Sequence, residues 1–159
     1  MALERCFFRR LSLVLLVTLV AGCAGNAPKT PEPAKVSPEA ARTHVHAGRE
    51  AYDQGRKDAA VEAWQKAVAL DPANSVVVNN LALLLKEQHR FTEAAELLRQ
   101  GIRQSPSVAE LHYNLAVISE LYLLDLETAL HHYNRYRELA AEEDESVAGW
   151  IADLERRLH

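Results

Sequence analysis

The side chains best suited to metal or acid–base chemistry are two pairs of histidines and one short acidic run. His44 and His46 are two residues apart, His131 and His132 are adjacent, and acidic residues fill positions 142–145. Metal ligands on one helix face need spacings of three or four, because successive side chains point about 100° apart. No cysteine or carboxylate completes a ligand set at that spacing, so no metal is expected. The histidines are predicted to be ordinary helix-surface residues.

The sequence also lacks the common catalytic motifs. It contains no phosphate-cradling glycine loop, no GxSxG nucleophile elbow and no HExxH pair. The acidic run at residues 142–145 is interpreted as a solvated linker that places negative charge near the N-terminus of a final helix. We therefore expect a protein that is not an enzyme and that carries no cofactor.

Cys23 carries the one thiol that is expected to react, since Cys6 lies in a segment that is expected to be removed. Cys23 ends the sequence L-V-A-G-C, behind a basic N-terminus and eleven mostly apolar residues. Eleven residues are too few for a membrane-spanning helix, which needs about 20. The sequence resembles a bacterial lipobox, which implies a signal peptide over residues 1–22 and lipid attachment, palmitate included, at Cys23. An ordinary cleaved signal peptide or an uncleaved anchor is the alternative.

The residue after the cysteine and the overall charge bear on location and partners. Lipoproteins retained in the inner membrane often carry aspartate where this chain has Ala24, so the resemblance implies the outer membrane, with the domain facing the periplasm. Removing residues 1–22 takes three arginines and one glutamate from 18 basic and 22 acidic residues, which leaves a net charge of −6. This acidic balance excludes nucleic acid as an expected partner. Residues 23–37, the lipidated cysteine and a proline-rich stretch, are predicted to be an extended tether.

From residue 38 onward the sequence predicts helices, and residue types recur with a period of 34. Ala60, Trp64, Ala67 and Pro72 recur as Ala94, Leu98, Gly101 and Pro106, and a looser third copy follows as Ala129, Tyr133 and Tyr136. The pattern resembles the tetratricopeptide repeat (TPR), a helix-turn-helix unit. This resemblance implies an all-α, right-handed α-solenoid over residues 38–142. Its three tandem units cover about residues 41–74, 75–108 and 109–142, and a C-terminal capping helix at residues 146–159 closes the stack.

Local signals predict how the helices begin and where the chain turns. Ser37 is expected to be the N-cap of the first helix, Gly55 to turn the first unit, and Ser107 with Glu110 to form a capping box that opens the third unit. The third unit's own turn, residues 122–125, lacks glycine and carries one extra residue. We favour tolerated drift, with the leucines packed down, over the alternative of an exposed apolar contact site.

The resemblance implies that function lies on the concave face, which the first helix of each unit mainly forms. The predicted protein-binding groove consists of Arg42, His46, Arg49, Asn79, Asn80, Leu83, Lys86, Tyr113, Asn114 and Val117. Asn80 and Asn114, 34 residues apart, are expected to hydrogen-bond the backbone of an extended peptide, unless they are only solvated amides. Some TPR proteins clamp an acidic C-terminus with lysine, asparagine and arginine. Here Val45, Glu110 and Asn114 stand at three of those positions, so such a clamp is not predicted.

Together these features predict an outer-membrane lipoprotein whose TPR scaffold binds an envelope protein or a peptide segment of one. It would support assembly or localisation of an envelope machine, such as a type IV or Flp pilus or a secretin, as similar small TPR lipoproteins do. Two alternatives stay open. One is a regulatory subunit that positions a cell-wall enzyme or an energy-transducing membrane complex, and the other is a structural subunit that self-associates.

Overall fold

A computed structural model describes residues 36–158 of the chain. These residues form seven α-helices and one π-helical turn, and no strand occurs among them. The elements are α1 (Pro38–Asp53), α2 (Lys57–Leu70), α3 (Ser75–Glu87), α4 (Phe91–Gln104), α5 (Ala109–Ile118), the π turn (Ser119–Leu123), α6 (Leu126–Leu139) and α7 (Glu145–Leu158). The expected signal peptide, Cys23 and all but the last two residues of the expected tether lie outside the described residues. Within residues 36–158, no helix is both long and apolar enough to cross a membrane.

Polar side chains cap several helices at the points where backbone N–H groups would otherwise lack partners. The Ser37 hydroxyl accepts a bond from the Ala40 N–H at 3.4 Å, as the sequence predicts, and Pro38 follows as the first helical residue. The carboxylate of Asp144 accepts from two N–H groups at the start of α7, at 3.0 and 3.2 Å. The acidic run therefore contributes one residue that caps the final helix.

The predicted capping box of the third unit is wrong. Helix α5 begins at Ala109 with Val108 as its N-cap, and no side chain caps it, Ser107 included. In the second unit the same place is held by Asn74, whose side chain accepts from the Val77 N–H at 3.3 Å. Valine has no acceptor to offer, so the third unit lacks the cap that its neighbour has.

Small residues let the two helices of a unit approach each other. A Cβ atom on Gly48 of α1 would lie far inside van der Waals contact with the Trp64 indole of α2. The indole Nε1–H donates to the backbone carbonyl of Val45 at 3.3 Å, so the same ring fills space and satisfies a helix carbonyl. Gly101 repeats this arrangement against Val78, whose Cγ1 would lie 2.6 Å from an added Cβ. These contacts bury the main apolar core, which spans α1 to α5.

Each unit turns at a residue in the left-handed region of backbone conformation. Gly55 has φ 73° there, as the sequence predicts, whereas His89 with φ 59° and Leu124 with φ 55° hold the matching places in the later units. Glycine adopts this conformation freely, and a leucine does so at a cost. The third turn is also longer, and the π turn absorbs its extra residue.

The expectation that the leucines of the third turn, residues 122–125, pack down is wrong for Leu124, and Leu121 just before the turn is exposed as well. Leu123 packs against the main core, but Leu121 is 60 % exposed and Leu124 is 75 % exposed. Tyr122 is also exposed, although its ring stacks on Phe91 with centroids 4.2 Å apart. The wider π turn rotates successive side chains away from the positions they would hold in an α-helix, so only one leucine faces inward.

Helix α7 closes the described part of the chain. Val147, Ile151 and Leu154 are buried against a second apolar cluster that includes Ala116, Ala129 and Tyr133 of the third unit. Trp150 lies at the rim of this cluster and is 38 % exposed. The helix therefore covers the apolar face that the third unit would otherwise leave open.

Candidate functional site

The first helices of the three units, α1, α3 and α5, contribute to one face, on which α3 packs beside α5 and lines a hollow together with α1. The Asn114 amide of α5 donates to the Asn79 carbonyl oxygen of α3 at 2.6 Å, which joins the second and third units across this face. Asn80 lines a different hollow, which lies between α1 and α3. The two asparagines that are 34 residues apart therefore line different hollows, and Asn114 is hydrogen-bonded to the neighbouring unit.

A first hollow of about 250 Å³, the unit 1–2 cavity, opens between α1 and α3. It is lined by Arg49, Tyr52, Asp53, Trp64, Asn80, Leu83, Leu84 and Glu87. Its charges pair with each other or with near neighbours: Arg49 with Asp53 at 3.3 Å, and Glu87 with Lys57 at 2.9 Å. The cavity thus combines an indole and aliphatic floor with a rim whose charges are neutralised.

The carboxylate of Glu87 is the centre of this rim. It accepts hydrogen bonds from the Lys57 ammonium and from the Tyr52 hydroxyl, the latter at 3.3 Å. The bond from Lys57 lowers the pKa of Glu87, and the same bond raises the pKa of Lys57. Both groups are therefore charged at neutral pH, and their hydrogen bond ties the first unit to the second.

A second hollow of about 270 Å³, the aromatic recess, lies further along the same face. It is lined by Asn79, Glu110, Tyr113, Asn114, Tyr136 and Asp144. The centroid of the Tyr113 ring lies 5.1 Å from that of Tyr136, which also lines the recess, and 6.3 Å from that of Trp150. Tyr133 completes this cluster, 5.6 Å from Trp150. The recess is therefore lined by two tyrosines, which pack against Trp150 and Tyr133, and by two carboxylates.

The structure distributes the predicted groove residues over these two hollows and the surface around them. Arg49, Asn80 and Leu83 line the unit 1–2 cavity, and Asn79, Tyr113 and Asn114 line the aromatic recess. Arg42, His46, Lys86 and Val117 line neither. Arg42 is exposed and pairs with Glu39 at 3.2 Å, while Val117 packs against the second apolar cluster. The predicted lipid-attachment residue, Cys23, is outside the described residues.

Two sequence families match the chain over the part that builds this face. Residues 48–89 match the family described as "TPR repeat", and residues 79–141 match "Tetratricopeptide repeat". Together they span more than half of the chain. The chain therefore contains tetratricopeptide repeats. No curated protein matches this TPR protein in sequence.

Solved structures of several different proteins have the same fold. The first TPR domain of Spaghetti (RPAP3), bound to the HSP90 peptide SRMEEVD, has 21% sequence identity and a TM-score of 0.67, covering 79% of this chain and 98% of that one. The secretion chaperone SycD of Yersinia enterocolitica, in complex with a peptide of YopD, has 15% identity and a TM-score of 0.66, with coverage of 78% and 98%. The N-terminal domain of STI-1 from C. elegans has 22% identity and a TM-score of 0.64, with coverage of 73% and 94%. At these identities the likeness establishes the shared fold.

A histidine pair, with His112 buried and His132 half-buried, was not predicted from the sequence. The Nδ1 atoms of His112 and His132 lie 2.9 Å apart, and His112 Nε2 lies 3.2 Å from the Pro106 carbonyl oxygen. The prediction that His132 is an ordinary surface residue is therefore wrong. One signal in the sequence could have revealed the pair. His112 stands 34 residues after Val78, at a buried position of the repeat, and a histidine at a buried position needs a hydrogen-bonding partner.

The contacts of the pair determine its protonation state. His112 must donate from Nε2 to the carbonyl of Pro106, so its Nδ1 accepts and the Nδ1–H of His132 donates. Burial lowers the pKa of both rings, that of His132 to about 4, with repulsion from His112 as a further cause for His132. Both rings are neutral at pH 7. Within residues 36–158, no three histidine, cysteine, aspartate or glutamate side chains converge as metal ligands would.

Proposed function

We propose that this TPR protein is a lipid-anchored adaptor of the bacterial outer membrane that binds an extended segment of another envelope protein. The observation that supports the binding role is the face formed by α1, α3 and α5. Along it, two hollows follow one another, and both offer amide side chains beside aromatic rings. Such a face suits a peptide backbone that runs past the amides and places side chains in the hollows.

The partner segment is not expected to be an acidic C-terminus. The HSP90 peptide bound to the Spaghetti domain, SRMEEVD, carries three acidic side chains. In the present chain the aromatic recess contributes Glu110 and Asp144 to the groove, and no lysine or arginine lines that recess. Like charges would oppose an acidic segment there, so this adaptor requires a partner of different chemistry.

The lipid anchor is proposed on the sequence alone. Acylation of Cys23 would place the membrane attachment thirteen residues before Val36, where the described residues begin. Replacing Cys23 with alanine should release the protein from membranes into the periplasmic fraction, because the acyl chains supply the membrane affinity. Tight attachment of the Cys23→Ala variant would contradict the anchor.

Photo-crosslinking in living cells tests the adaptor role. A photo-reactive residue is placed at Asn80 in one strain and at Asn114 in another, since these positions line different hollows. The control position is Gln65, which is exposed on α2, on the second helix of the first unit. We expect both groove positions, and not Gln65, to capture the same envelope protein. Capture at neither groove position, in cells where the protein is folded and membrane-bound, would contradict the adaptor role.

The sharper form of the proposal is an accessory role in a type IV or Flp pilus or in secretin assembly. Similar small TPR lipoproteins act in such machines, and this resemblance is its support. Deletion of the gene should then reduce assembled pilus subunits, secretin multimers or motility. Normal levels of all three would remove this form of the proposal and leave the adaptor role intact.

Self-association is a second candidate, and one observation favours it. The third turn exposes Leu121, Tyr122 and Leu124 together, and exposed apolar groups of this kind often mark contact sites. Sedimentation of the purified protein should then show a concentration-dependent dimer that Leu124→Asp abolishes. A monomer at all concentrations, for the unmodified protein, would exclude this candidate.

A further inference from the structure

We infer that the aromatic recess binds a cationic side chain, a lysine or an arginine, of the partner segment. This inference rests on the proposed adaptor function and names the chemistry that one end of its groove recognises. It commits to a protein partner whose bound segment carries a positive charge.

The walls of the recess include two aromatic rings that a cation can approach. Tyr113 and Tyr136 both line it, and their ring planes meet at 55° with centroids 5.1 Å apart, so their faces are inclined to each other. Trp150 stands beside Tyr113, at 39° between ring planes, and remains 38 % exposed. A cation is attracted to the face of an aromatic ring within about 6 Å of its centroid, and several inclined rings reinforce this attraction.

The carboxylates of the recess lack ionic partners, in contrast to those of the unit 1–2 cavity. Within the described residues, neither Glu110 nor Asp144 forms an ion pair, and no lysine, arginine or histidine lines the recess. Asp144 uses one oxygen, Oδ1, to cap α7, which fixes its carboxylate at the rim. The pKa of the Tyr136 hydroxyl is raised, mainly by burial. The negative charges of Asp144 and Glu110 raise this pKa further.

An adjoining hollow extends the negative surface. It has a volume of about 570 Å³ and shares Glu110 and Tyr136 with the aromatic recess. Glu142 adds a third carboxylate, while Val108 and Leu139 add aliphatic surface. Charge complementarity therefore selects a cationic side chain for the recess, and the adjoining hollow accommodates the aliphatic stem or the next residue of the same segment.

The two tryptophans of the chain allow each end of the groove to be observed separately. Trp64 lines the unit 1–2 cavity and Trp150 stands beside the aromatic recess. Full-length protein labelled with 5-fluorotryptophan is purified in non-ionic detergent, and its two ¹⁹F resonances are assigned with Trp150→Phe. The probes are short acetylated and amidated glycine–serine peptides that carry lysine, arginine, norleucine or glutamate at the centre.

We expect the lysine and arginine peptides to shift the Trp150 resonance along a saturating curve and to leave the Trp64 resonance in place. Norleucine matches the lysine stem without its charge, so its peptide should bind at least about tenfold more weakly. An equal response to norleucine, or no saturable response to either cation, would overturn the inference.

A pair of substitutions that removes charge but keeps side-chain size identifies the residues responsible. Glu110→Gln with Asp144→Asn removes both charges, and the new asparagine retains an oxygen to cap α7. This double variant should lower the affinity for the lysine peptide at least about tenfold. Glu62→Gln with Glu155→Gln removes the same number of charges from exposed positions outside the recess, and it should leave the affinity unchanged. Equal loss in both double variants would reduce the effect to overall charge and overturn the inference.

The inference and the adaptor role fail in distinguishable ways. Asn80 lies in the other hollow, so capture of a partner there does not depend on the aromatic recess. Capture at Asn80 together with unresponsive Trp150 would leave the adaptor role standing and remove the cationic site. A peptide response at Trp150 without capture at Asn80 and Asn114 would support the cationic site and contradict the adaptor role.

Discussion

The first and third units solve the same packing problem with different residues. In the first unit, Gly48 admits the Trp64 indole and Gly55 makes the turn. In the third unit, Tyr133 takes the place of the indole, Leu124 makes the turn, and the pair of His112 and His132 joins α5 to α6. The same repeat geometry therefore accommodates a polar pair and a leucine in a strained turn, and in this unit α7 packs against Tyr133.

The same contrast divides the groove. Around the unit 1–2 cavity, carboxylates pair with lysine or arginine, so this end contributes to the joint between units. At the aromatic recess, Glu110 and Asp144 have no such partners among the described residues, and the half-buried Tyr113 and Tyr136 line the hollow beside them. The unit that departs most from the repeat pattern is therefore the one whose polar groups remain available to a ligand.

The largest expected effect breaks the close contact of the first unit. Gly48→Val should destabilise the protein by about 3 kcal/mol, because the new side chain must displace the buried Trp64 indole. Urea denaturation followed by circular dichroism measures the change. Gly149→Ala is the matched control, since nothing lies within 4 Å of a Cβ atom there, and it should stabilise α7 slightly. A loss of less than about 1 kcal/mol in the free energy of unfolding for Gly48→Val would mean that α1 and α2 can move apart at little cost.

A second test is specific to the third unit and depends on pH. The pKa of His132 is about 4 in the fold, against 6.5 for an unperturbed histidine, so the unfolded chain binds more protons between these values. Lowering the pH from 6.5 to 4 should therefore reduce the free energy of unfolding, by about 2 kcal/mol from the histidine pair. Protonating both rings would also set two N–H groups against each other. Urea unfolding across this range measures the slope.

The control for this slope is a second histidine substitution. Replacing His112 and His132 together by leucine should remove the contribution of the pair to the pH dependence of the free energy of unfolding. His46→Gln should preserve that contribution, because His46 is exposed on α1. Both variants retain the titratable and charged groups that act on the pair, which are Arg99 of α4, Asp125, and His131 and Arg135 of α6. An identical slope in the two variants would exclude the pair as its source.

A third test concerns the turns. Leu124→Gly should stabilise the protein by about 1 kcal/mol, because glycine adopts the left-handed conformation without the steric cost of leucine. Gly55→Ala, at the matching place in the first unit, should destabilise it by a similar amount. Both changes in the free energy of unfolding are measured from the shift of the urea midpoint at an unchanged m-value. If Leu124→Gly destabilised the protein instead, the exposed leucine would have to contribute contacts that outweigh its backbone strain.

The fold was predictable wherever residue types recur at the repeat period. Trp64 and Leu98 stand 34 residues apart among small residues, and both are buried as the pattern requires. Gly55 marks its turn because only glycine adopts that conformation without cost. These signals are local or periodic, so one sequence suffices to read them.

The third unit and the site geometry were less predictable for physical reasons. The pairing of His112 with His132 joins residues 20 apart on two helices, and no helix-period rule brings them together. The extra residue in the third turn has several possible outcomes, and the π turn that forms exposes Leu121 and Leu124. Neither Glu110 nor Asp144 signals a recess until α5, α6 and the start of α7 are placed in space.

The smallest expected effect concerns the missing cap of the third unit. Val108→Asn should give α5 the cap that Asn74 gives α3, with the new amide oxygen accepting from a first-turn N–H. Because Val108 also packs against the main core, part of the gain is lost, and we expect a net stabilisation of about 0.5 kcal/mol.

The reciprocal change tests whether the cap is the cause. Asn74→Ala should cost about 1 kcal/mol, since it leaves the Val77 N–H of α3 without its acceptor. If Val108→Asn is neutral while Asn74→Ala is costly, the core contact of Val108 equals the value of a cap. The third unit would then have exchanged a polar start for apolar burial, in keeping with the adjoining hollow, whose wall Val108 forms.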